Sequence, residues 1–231
     1  MLKNYITTAI NNLIKNKLYS TINIAGLAIG LAACIVIALY VRDQYSYDRQ
    51  WKDSDRIYRV NYSMQAPGRE IMKFSKAPLP AMPALKEYFK DDFEQTARTL
   101  SSELTINIGT DRFQSSITSV DPAFIDIFQL AVVAGSLKDT LTGMTNVALS
   151  EETAKRHFGN QDPIGKVITI NTGGMNVDCK VTAVYRIPGN TVLGDIPIIS
   201  LLPPENFIPP YQKGWENPNC STYIKLKEGI D

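Results

Sequence analysis

The sequence predicts an α+β protein in which one N-terminal transmembrane helix precedes a mixed α+β extracytoplasmic domain. Residues 21–41 (TINIAGLAIGLAACIVIALYV) contain no charged residue, and about 21 helical residues span the roughly 30 Å of a bilayer core. Several later segments alternate apolar and polar residues, as strands do. The short amphipathic stretches between them indicate a few helices, without the regular strand–helix alternation of a parallel sheet.

The N-terminal part of the chain is predicted to contain two helices. Residues 1–17 place Ile6 and Ile10 four residues apart, which predicts an amphipathic helix on the cytoplasmic membrane surface. This helix is either a membrane anchor or a docking helix for a cytoplasmic partner. We expect the transmembrane helix to occupy residues 18–42 and the extracytoplasmic domain to occupy residues 43–231.

The orientation follows from the charges that flank the apolar segment. Lys15 and Lys17 lie directly before it, whereas Arg42 and Asp43, one positively and one negatively charged, follow it. Because basic residues accumulate on the cytoplasmic side, we expect a cytoplasmic N-terminus and a periplasmic main domain. The sequence therefore predicts a protein of the inner (cytoplasmic) membrane.

The apolar segment also contains a helix-packing pattern. Gly26 and Gly30 form a GxxxG motif, which lets a second helix approach closely, although a lipid-facing helix explains the two glycines equally well. Residues 31–34 resemble a lipoprotein processing box. Cys34 is followed by seven more apolar or aromatic residues, however, so the uncleaved helix is favoured.

Alternation, turn residues and proline positions predict the elements of the extracytoplasmic domain. The predicted strands are 56–64, 94–100, 104–108, 113–120, 147–149, 167–171, 177–186 and 222–226. A first helix is predicted from about Pro80, with Leu85, Tyr88 and Phe89 facing inward.

Two further helices have recognisable ends. Asp121 and Pro122 are expected as the N-cap and first residue of a helix whose Phe124 and Phe128 face the core. A second helix follows over residues 151–158.

Ser150 is expected to cap this second helix and Gly159 to end it. His157 lies in its last turn, where a cation complements the helix dipole. Asp162, Pro163 and Gly165 are then expected to form a turn.

Composition excludes several classes of function. A net charge of +1 gives no indication of nucleic-acid binding. The single histidine cannot supply a catalytic triad or a metal site alone, so we predict no catalytic, cofactor-binding or metal-binding residue. Three cysteines make no disulfide framework; Cys179 and Cys220 form either one bridge or two buried thiols.

The motifs of residues 119–170 follow an order that resembles a known family. VDPAF (120–124), the glycine at Gly135, LSEETAKRHFG (149–159) and DPIGK (162–166) occur in sequence, and NKLYSTINIAGLAIGLAACIVIALYV precedes them. Together they resemble the periplasmic core domain of MacB/FtsX-type ABC transporter permeases. The signature positions that carry the resemblance are Asp121, Pro122, Phe124, Phe128, Gly135, Ser150, Gly159, Asp162, Pro163 and Gly165.

The resemblance implies a fold and a role. The domain would have a porter-like part with a smaller inserted subdomain. The partners would be a cytoplasmic ABC ATPase subunit, a second permease copy in a dimer, and a periplasmic or outer-membrane protein. ATP hydrolysis on the partner would drive periplasmic motion that exports or extrudes a lipoprotein, a peptide or a small amphiphile.

The family also has three further transmembrane helices after this domain, and residues 1–231 contain none of them. We therefore expect this chain to be the N-terminal part of a permease subunit. The competing hypothesis is a single-pass membrane-anchored periplasmic sensor or binding module that works without an ATPase.

Overall fold

The structure is a computed structural model that describes residues 2–109 and 111–230. It contains two compact units, Met1–Tyr47 and Asp48–Asp231, called here the helical unit and the sheet unit. The helical unit consists of α1 (Leu2–Lys15) and α2 (Lys17–Ser46). Among the described residues, α2 is the one helix long and apolar enough to span a membrane, and at 30 residues it extends past the apolar segment at both ends.

The sheet unit is a mixed α+β domain, which confirms the predicted fold class. Its strands are β1 (Ile57–Arg59), β2 (Tyr62–Met64), β3 (Met72–Phe74), β4 (Phe93–Ile108), β5 (Asp111–Val120), β6 (Ala131–Gly135), β7 (Asn146–Ser150), β8 (Val167–Thr172), β9 (Met175–Arg186), β10 (Ile198–Leu201) and β11 (Ser221–Leu226). Its α-helices are α3 (Ala81–Tyr88), α4 (Phe124–Phe128), α5 (Leu137–Thr140) and α6 (Glu151–Phe158).

Most strands belong to one sheet with the order β1-β11-β4-β5-β10-β7-β9-β6. Strand β8 pairs with both β4 and β9, so the pairing closes a ring of six strands: β4, β5, β10, β7, β9 and β8. The β5–β10 and β7–β9 pairs are parallel and the remaining pairs are antiparallel. Strands β2 and β3 form a separate two-stranded sheet.

Alternation along the strands separates the two larger clusters of the core. Successive side chains of a strand lie on opposite faces, so Val147 and Leu149 of β7 belong to one cluster and Ala148 between them belongs to the other. The first cluster draws residues from all six strands of the ring, including Ile106, Ile117, Ile168, Val181 and Ile198. The second joins the sheet to α4 and α5 and includes Trp51, Phe124, Phe128, Leu137, Tyr185 and Tyr223.

Three predicted strands are divided or joined in the structure. The predicted strand 56–64 is divided, because β1 pairs with β11 whereas β2 pairs with β3. Conversely, predicted strands 94–100 and 104–108 are one continuous β4, since the polar residues between them still pair with β5. In both cases the distant partner strand, and not the local alternation, sets the ends.

The predicted inward face of α3 was wrong for Tyr88 and Phe89, while Leu85 is partly buried. Ala81 and Met82 are its buried residues, while Tyr88 is 83% exposed and Phe89 is 39% exposed. The ring of Phe89, just after the helix, lies 5.8 Å from that of Phe93 at the start of β4, while the Tyr88 side chain is left in solvent. Strands β3, β6 and β10 and helix α5 were not predicted.

Candidate functional site

The first residues of the sheet unit are bonded to a distant loop. Asp48 follows α2 by two positions, and its Oδ1 accepts hydrogen bonds from Trp51 Nε1 at 3.1 Å, Thr191 Oγ1 at 2.7 Å and the Val192 amide at 3.0 Å. The Asp48 amide donates to the Asn190 carbonyl at 2.9 Å. Asp48 has a φ of 59°, a left-handed conformation that aspartate tolerates better than most residues. We call Asp48, Trp51, Thr191 and Val192 the anchor.

The indole of Trp51 extends the anchor into the core. Trp51 is 7% exposed, and its ring packs edge-on against Phe128 with centroids 5.3 Å apart. Phe128 in turn contacts the rings of Phe124 at 4.8 Å and Tyr223 at 4.9 Å. Burying an aromatic ring of this size stabilises by roughly 2–3 kcal/mol. The start of the sheet unit is therefore held by both polar and apolar contacts.

A cluster of four charged side chains lies a few residues further along the chain. Lys225 Nζ lies 2.9 Å from Asp53 Oδ2 and 2.9 Å from Glu94 Oε1. Arg56 bridges the same two carboxylates at 3.1 Å and 2.6 Å and also donates to the Leu226 carbonyl at 2.9 Å. We call Asp53, Arg56, Glu94 and Lys225 the charge cluster.

The charge cluster is electrically balanced, and each group favours its ionised form. Hydrogen bonds from Lys225 lower the pKa of both Asp53 and Glu94, and these carboxylates raise the pKa of Lys225. The Glu94 carboxylate also raises the pKa of Arg56. An open cleft of about 750 Å³ borders the cluster. The cluster connects the segment before β1, the start of β4 and the end of β11.

Asp121 does not cap a helix, contrary to the sequence-based expectation. Its carboxylate accepts hydrogen bonds from the Arg98 amide at 2.9 Å and from the Arg98 guanidinium at 2.9 and 3.1 Å. Pro122 lies in the turn that follows, and α4 begins only at Phe124. Phe124 and Phe128 are 0% and 2% exposed, as predicted for core residues. Asp121 therefore joins β4 to the end of β5.

Gly135 lies where two backbones come unusually close. It ends β6 with a φ of 72°, and a Cβ at this position would overlap the carbonyl oxygen of Thr182 in β9. The next amide, that of Ser136, donates to the same carbonyl at 3.0 Å. Only glycine combines this conformation with this approach.

The ends of α6 are as predicted. Ser150 Oγ accepts a hydrogen bond from the Thr153 amide at 3.2 Å, and Gly159 lies at the C-terminal end with a φ of 59°. His157 lies in the last turn of α6 with Lys155 and Arg156, at the predicted position. Its ring stacks on Phe113 at 3.9 Å, and burial, followed by the nearby Arg156, lowers its pKa. His157 therefore also packs the end of α6 against β5.

The turn after α6 contains the remaining signature residues. Asp162 Oδ1 accepts from the Ile164 amide at 2.9 Å, and the Pro163 carbonyl accepts from the Lys166 amide at 3.1 Å. The Gly165 amide donates to the Val181 carbonyl at 2.8 Å, which ties the turn to β9. The signature positions therefore form separate groups in the sheet unit: residues 121–128, Gly135, the two ends of α6, and the turn over residues 162–165.

The two cysteines of the sheet unit are free and buried, so the structure has thiols and no bridge at these positions. Burial raises the pKa of Cys179 and raises the pKa of Cys220 to about 11. In the part of the chain that the structure describes, no group of three histidine, cysteine or acidic side chains is placed to hold a metal ion.

Gly26 and Gly30 have open space around them on α2.

Sequence reasoning missed the anchor and the charge cluster. The segment that contains Asp48, Trp51 and Asp53 reads as a polar link, and a tryptophan inside such a link is the one signal that it packs against something. Nothing local indicates that Lys225 lies beside Asp53, because 172 positions separate them in the chain.

Comparisons with known proteins place this geometry in a family. The model described as "MacB-like periplasmic core domain" matches residues 20–231. No curated protein matches the chain. A crystallised domain of a protein described as a permease, from Porphyromonas gingivalis, is 21% identical with a TM-score of 0.65, and the match covers 79% of this chain and 78% of that one.

Two more distant solved structures share the fold, each at 15% identity with a TM-score of 0.51. The periplasmic region of MacB from Actinobacillus actinomycetemcomitans matches over 76% of this chain and 77% of its own. The extracellular domain of the noncanonic ABC-type transporter YknZ from Gram-positive bacteria matches over 75% and 84%. The family is a component of transporter permeases. The chain described here belongs to the MacB-like periplasmic core domain family and is the corresponding domain of an ABC-type transporter permease, with one candidate transmembrane helix.

Proposed function

We propose that this chain is the N-terminal part of a permease subunit that works by mechanotransmission. A separate cytoplasmic ATPase hydrolyses ATP, and α1 and α2 carry the resulting movement across the membrane. The periplasmic sheet unit then changes position and drives export or extrusion of a lipoprotein, a peptide or a small amphiphile. The subunit acts as a dimer and contacts a periplasmic or outer-membrane partner.

The observation that carries this proposal is the anchor. A domain can follow a moving helix only if the residues that join them are held firmly at the domain end. Asp48 makes four hydrogen bonds to residues at positions 51 and 190–192, and Trp51 is inserted in the core. A flexible tether would have solvent-exposed polar residues here and few contacts.

The charge cluster supports the same proposal, because it joins the first residues of the sheet unit to its last strand. Strand β1 lies antiparallel to β11, with Ile57 opposite Lys225. In the family the chain returns to the membrane after this domain, so the two connections to the membrane would leave from adjacent strands. Arg56 and Lys225 brace these strands through shared carboxylates. Movement applied to one connection would then reach the other.

The membrane arrangement is part of the proposal. We infer that residues 1–17 lie on the cytoplasmic surface, that residues 18–42 span the inner membrane, and that residues 43–231 are periplasmic. Gly26 and Gly30 leave a flat surface on α2 that suits packing against another transmembrane helix. The exposed Ile6 and Ile10 of α1 suit the membrane interface.

The test uses the complete permease subunit expressed together with a candidate ABC ATPase from the same genome. We expect the two to purify together, and we expect deletion of residues 2–15 to weaken this association. Asp48→Ala should leave association and ATP hydrolysis intact, yet reduce the ATP-dependent movement of spin labels on the sheet unit at least threefold. Asp91→Ala, a change at an exposed turn residue, is the matched control.

Two results would contradict the proposal. One is a complete subunit that purifies without any ATPase, which would favour the single-pass sensor or binding module. The other is full ATP-dependent movement in the Asp48→Ala protein, which would show that the anchor does not transmit it. A membrane-impermeant maleimide tests orientation separately, because it should label a cysteine placed at exposed position Asp91 in intact spheroplasts.

A further inference from the structure

The outermost strand of the main sheet, β6, has a free edge. The sheet order ends at β6, which pairs only with β9 among the strands of the described residues. The one further backbone bond at its end, from Ser136 to Thr182, also runs toward β9. The opposite edge of β6 therefore presents amide and carbonyl groups without a strand partner in the described chain.

The sequence of β6 lacks the features that usually protect an edge. Ala131, Val132, Val133, Ala134 and Gly135 include no charged residue and no proline. Val132 is 47% exposed and Val133 is 49% exposed. Natural proteins place lysine or proline on edge strands, or keep them very short, to prevent pairing with other chains.

The other edge of the same sheet shows the usual protection. Strand β1 has three residues and ends in the charged Arg59. β6 has a single protective device, a bulge at Val133, where the register with β9 shifts by one residue. The bulge limits pairing to a short segment and does not close the edge.

A groove runs beside β6. Its volume is about 300 Å³, at the lower end of the range of ligand pockets. The apolar side chains that line it are Ile125, Leu130, Val132 and Leu137. One acidic residue, Asp126, and one basic residue, Lys138, are also present and balance each other in charge. The groove suits one large uncharged side chain.

From this edge and this groove we infer that β6 is a strand-addition site for an extended, uncharged, apolar segment of a separate partner polypeptide. The segment pairs with the free edge through main-chain hydrogen bonds and inserts a leucine-sized or larger side chain into the groove. Main-chain pairing supplies affinity in this mode of recognition, and the side-chain pocket supplies specificity. The inference concerns a different surface from the anchor and does not depend on the proposed coupling.

A second copy of this chain is a poorer occupant of the site. A five-residue strand is about 17 Å long, and two such strands paired edge to edge bury far less than the roughly 1,200 Å² of a stable interface. The side chains of β6 are also small, so a second β6 would leave the groove unfilled. A separate segment with larger alternating side chains fills the groove, and an extended peptide that adds a strand needs less buried area than two folded domains do.

The test measures binding of a fluorescent, end-capped heptapeptide to the full chain in detergent micelles. The probe alternates leucine or isoleucine with threonine and has one lysine at each end for solubility. We expect saturable binding to the wild-type chain. A probe that is N-methylated at alternate residues along one edge should bind at least tenfold more weakly, since it cannot complete the ladder.

Two variants of the protein localise the binding. Val133→Lys places a charge on the free edge and should weaken binding at least tenfold. Val167→Lys changes a valine of similar exposure, 56%, at the start of β8, a strand that pairs with β9 and β4 and not with β6, and should change binding less than twofold. Thermal unfolding checks that both variants keep the wild-type fold, and Val132→Lys replaces Val133→Lys if the latter unfolds.

Three results would overturn the inference. The first is no saturable binding of the probe to the wild-type chain up to millimolar concentration. The second is equal binding by the wild-type and Val133→Lys proteins. The third is a wild-type chain that sediments as a dimer which Val133→Lys separates, because a second copy would then occupy the edge.

Discussion

Removing the carboxylate of Asp48 should destabilise the sheet unit measurably. Asp48→Ala deletes the acceptor of three hydrogen bonds, from Trp51, Thr191 and Val192. Each such bond contributes about 1 kcal/mol net, and alanine is less favourable than aspartate at a φ of 59°. Water reaches this half-buried site and replaces part of the loss. We therefore expect the free energy of unfolding to fall by about 2–3 kcal/mol.

Asp48→Asn provides a graded comparison. Asparagine keeps one acceptor oxygen and tolerates the left-handed conformation, so we expect a loss of about 1 kcal/mol. For a unit of this size, 1 kcal/mol lowers the unfolding midpoint by roughly 2–4 °C. The alanine variant should accordingly unfold roughly 5–10 °C below the parent protein.

The assay is thermal unfolding of the full chain in detergent, followed by tryptophan fluorescence. The chain has two tryptophans, so a Trp215→Phe background leaves Trp51 as the only reporter, next to the mutated site. A midpoint for Asp48→Ala within about 1 °C of the parent would refute the reasoning. Equal losses for Asp48→Ala and Asp48→Asn would show that the charge, and not the accepted hydrogen bonds, stabilises the anchor.

Two further predictions concern the rest of the sheet unit. Gly135→Ala should lower the free energy of unfolding by at least about 3 kcal/mol, because the new Cβ would overlap a backbone oxygen. The control, Gly173→Ala in an open hairpin turn, should lower it by about 1–2 kcal/mol. Equal shifts of the thermal midpoint in the two variants would contradict the close approach at Gly135. The lowered pKa values of Asp53 and Glu94 mean that the native state binds these protons less readily than the unfolded state. Their contribution to stability is present above the ordinary pKa of Glu94, 4.5, and is lost as the pH falls through the lowered values. The thermal unfolding midpoint should therefore fall as the pH is lowered from about 6 to 3, and it should fall less steeply for Glu94→Gln than for the parent protein. The same dependence on pH in the two proteins would exclude the charge cluster as the cause.

Local signals predicted the elements whose ends depend on neighbouring residues. Ser150 and Gly159 delimit α6 as expected, because a cap is satisfied within one turn of the helix. The hairpin of β8 and β9 was predicted from alternation and two glycines for the same reason. The family was also recognisable from the sequence, since its motifs lie in these locally determined turns and caps.

Elements that depend on distant partners were predicted poorly. Strand β10 has four residues, yet it lies between β5 and β7 and is largely buried. Its sequence is too short to show a period. Asp121 was expected to cap a helix, but Arg98 lies beside it on the neighbouring strand β4 and forms a bidentate ion pair, which is stronger than a helix cap.

The sequence by itself determined the candidate transmembrane helix, the α+β class, the ends of α6 and the family, because each follows from the order of residues within a few turns of chain. Only the tertiary structure decided which distant residues bond to one another and which strand edge is left without a partner in the described chain. The anchor joins Asp48 to Thr191, the charge cluster joins Asp53 to Lys225, and β6 is left at the edge of the sheet. These features depend on which strands become neighbours, and hydrogen bonds and ion pairs act over a few ångströms in space whatever the separation along the chain.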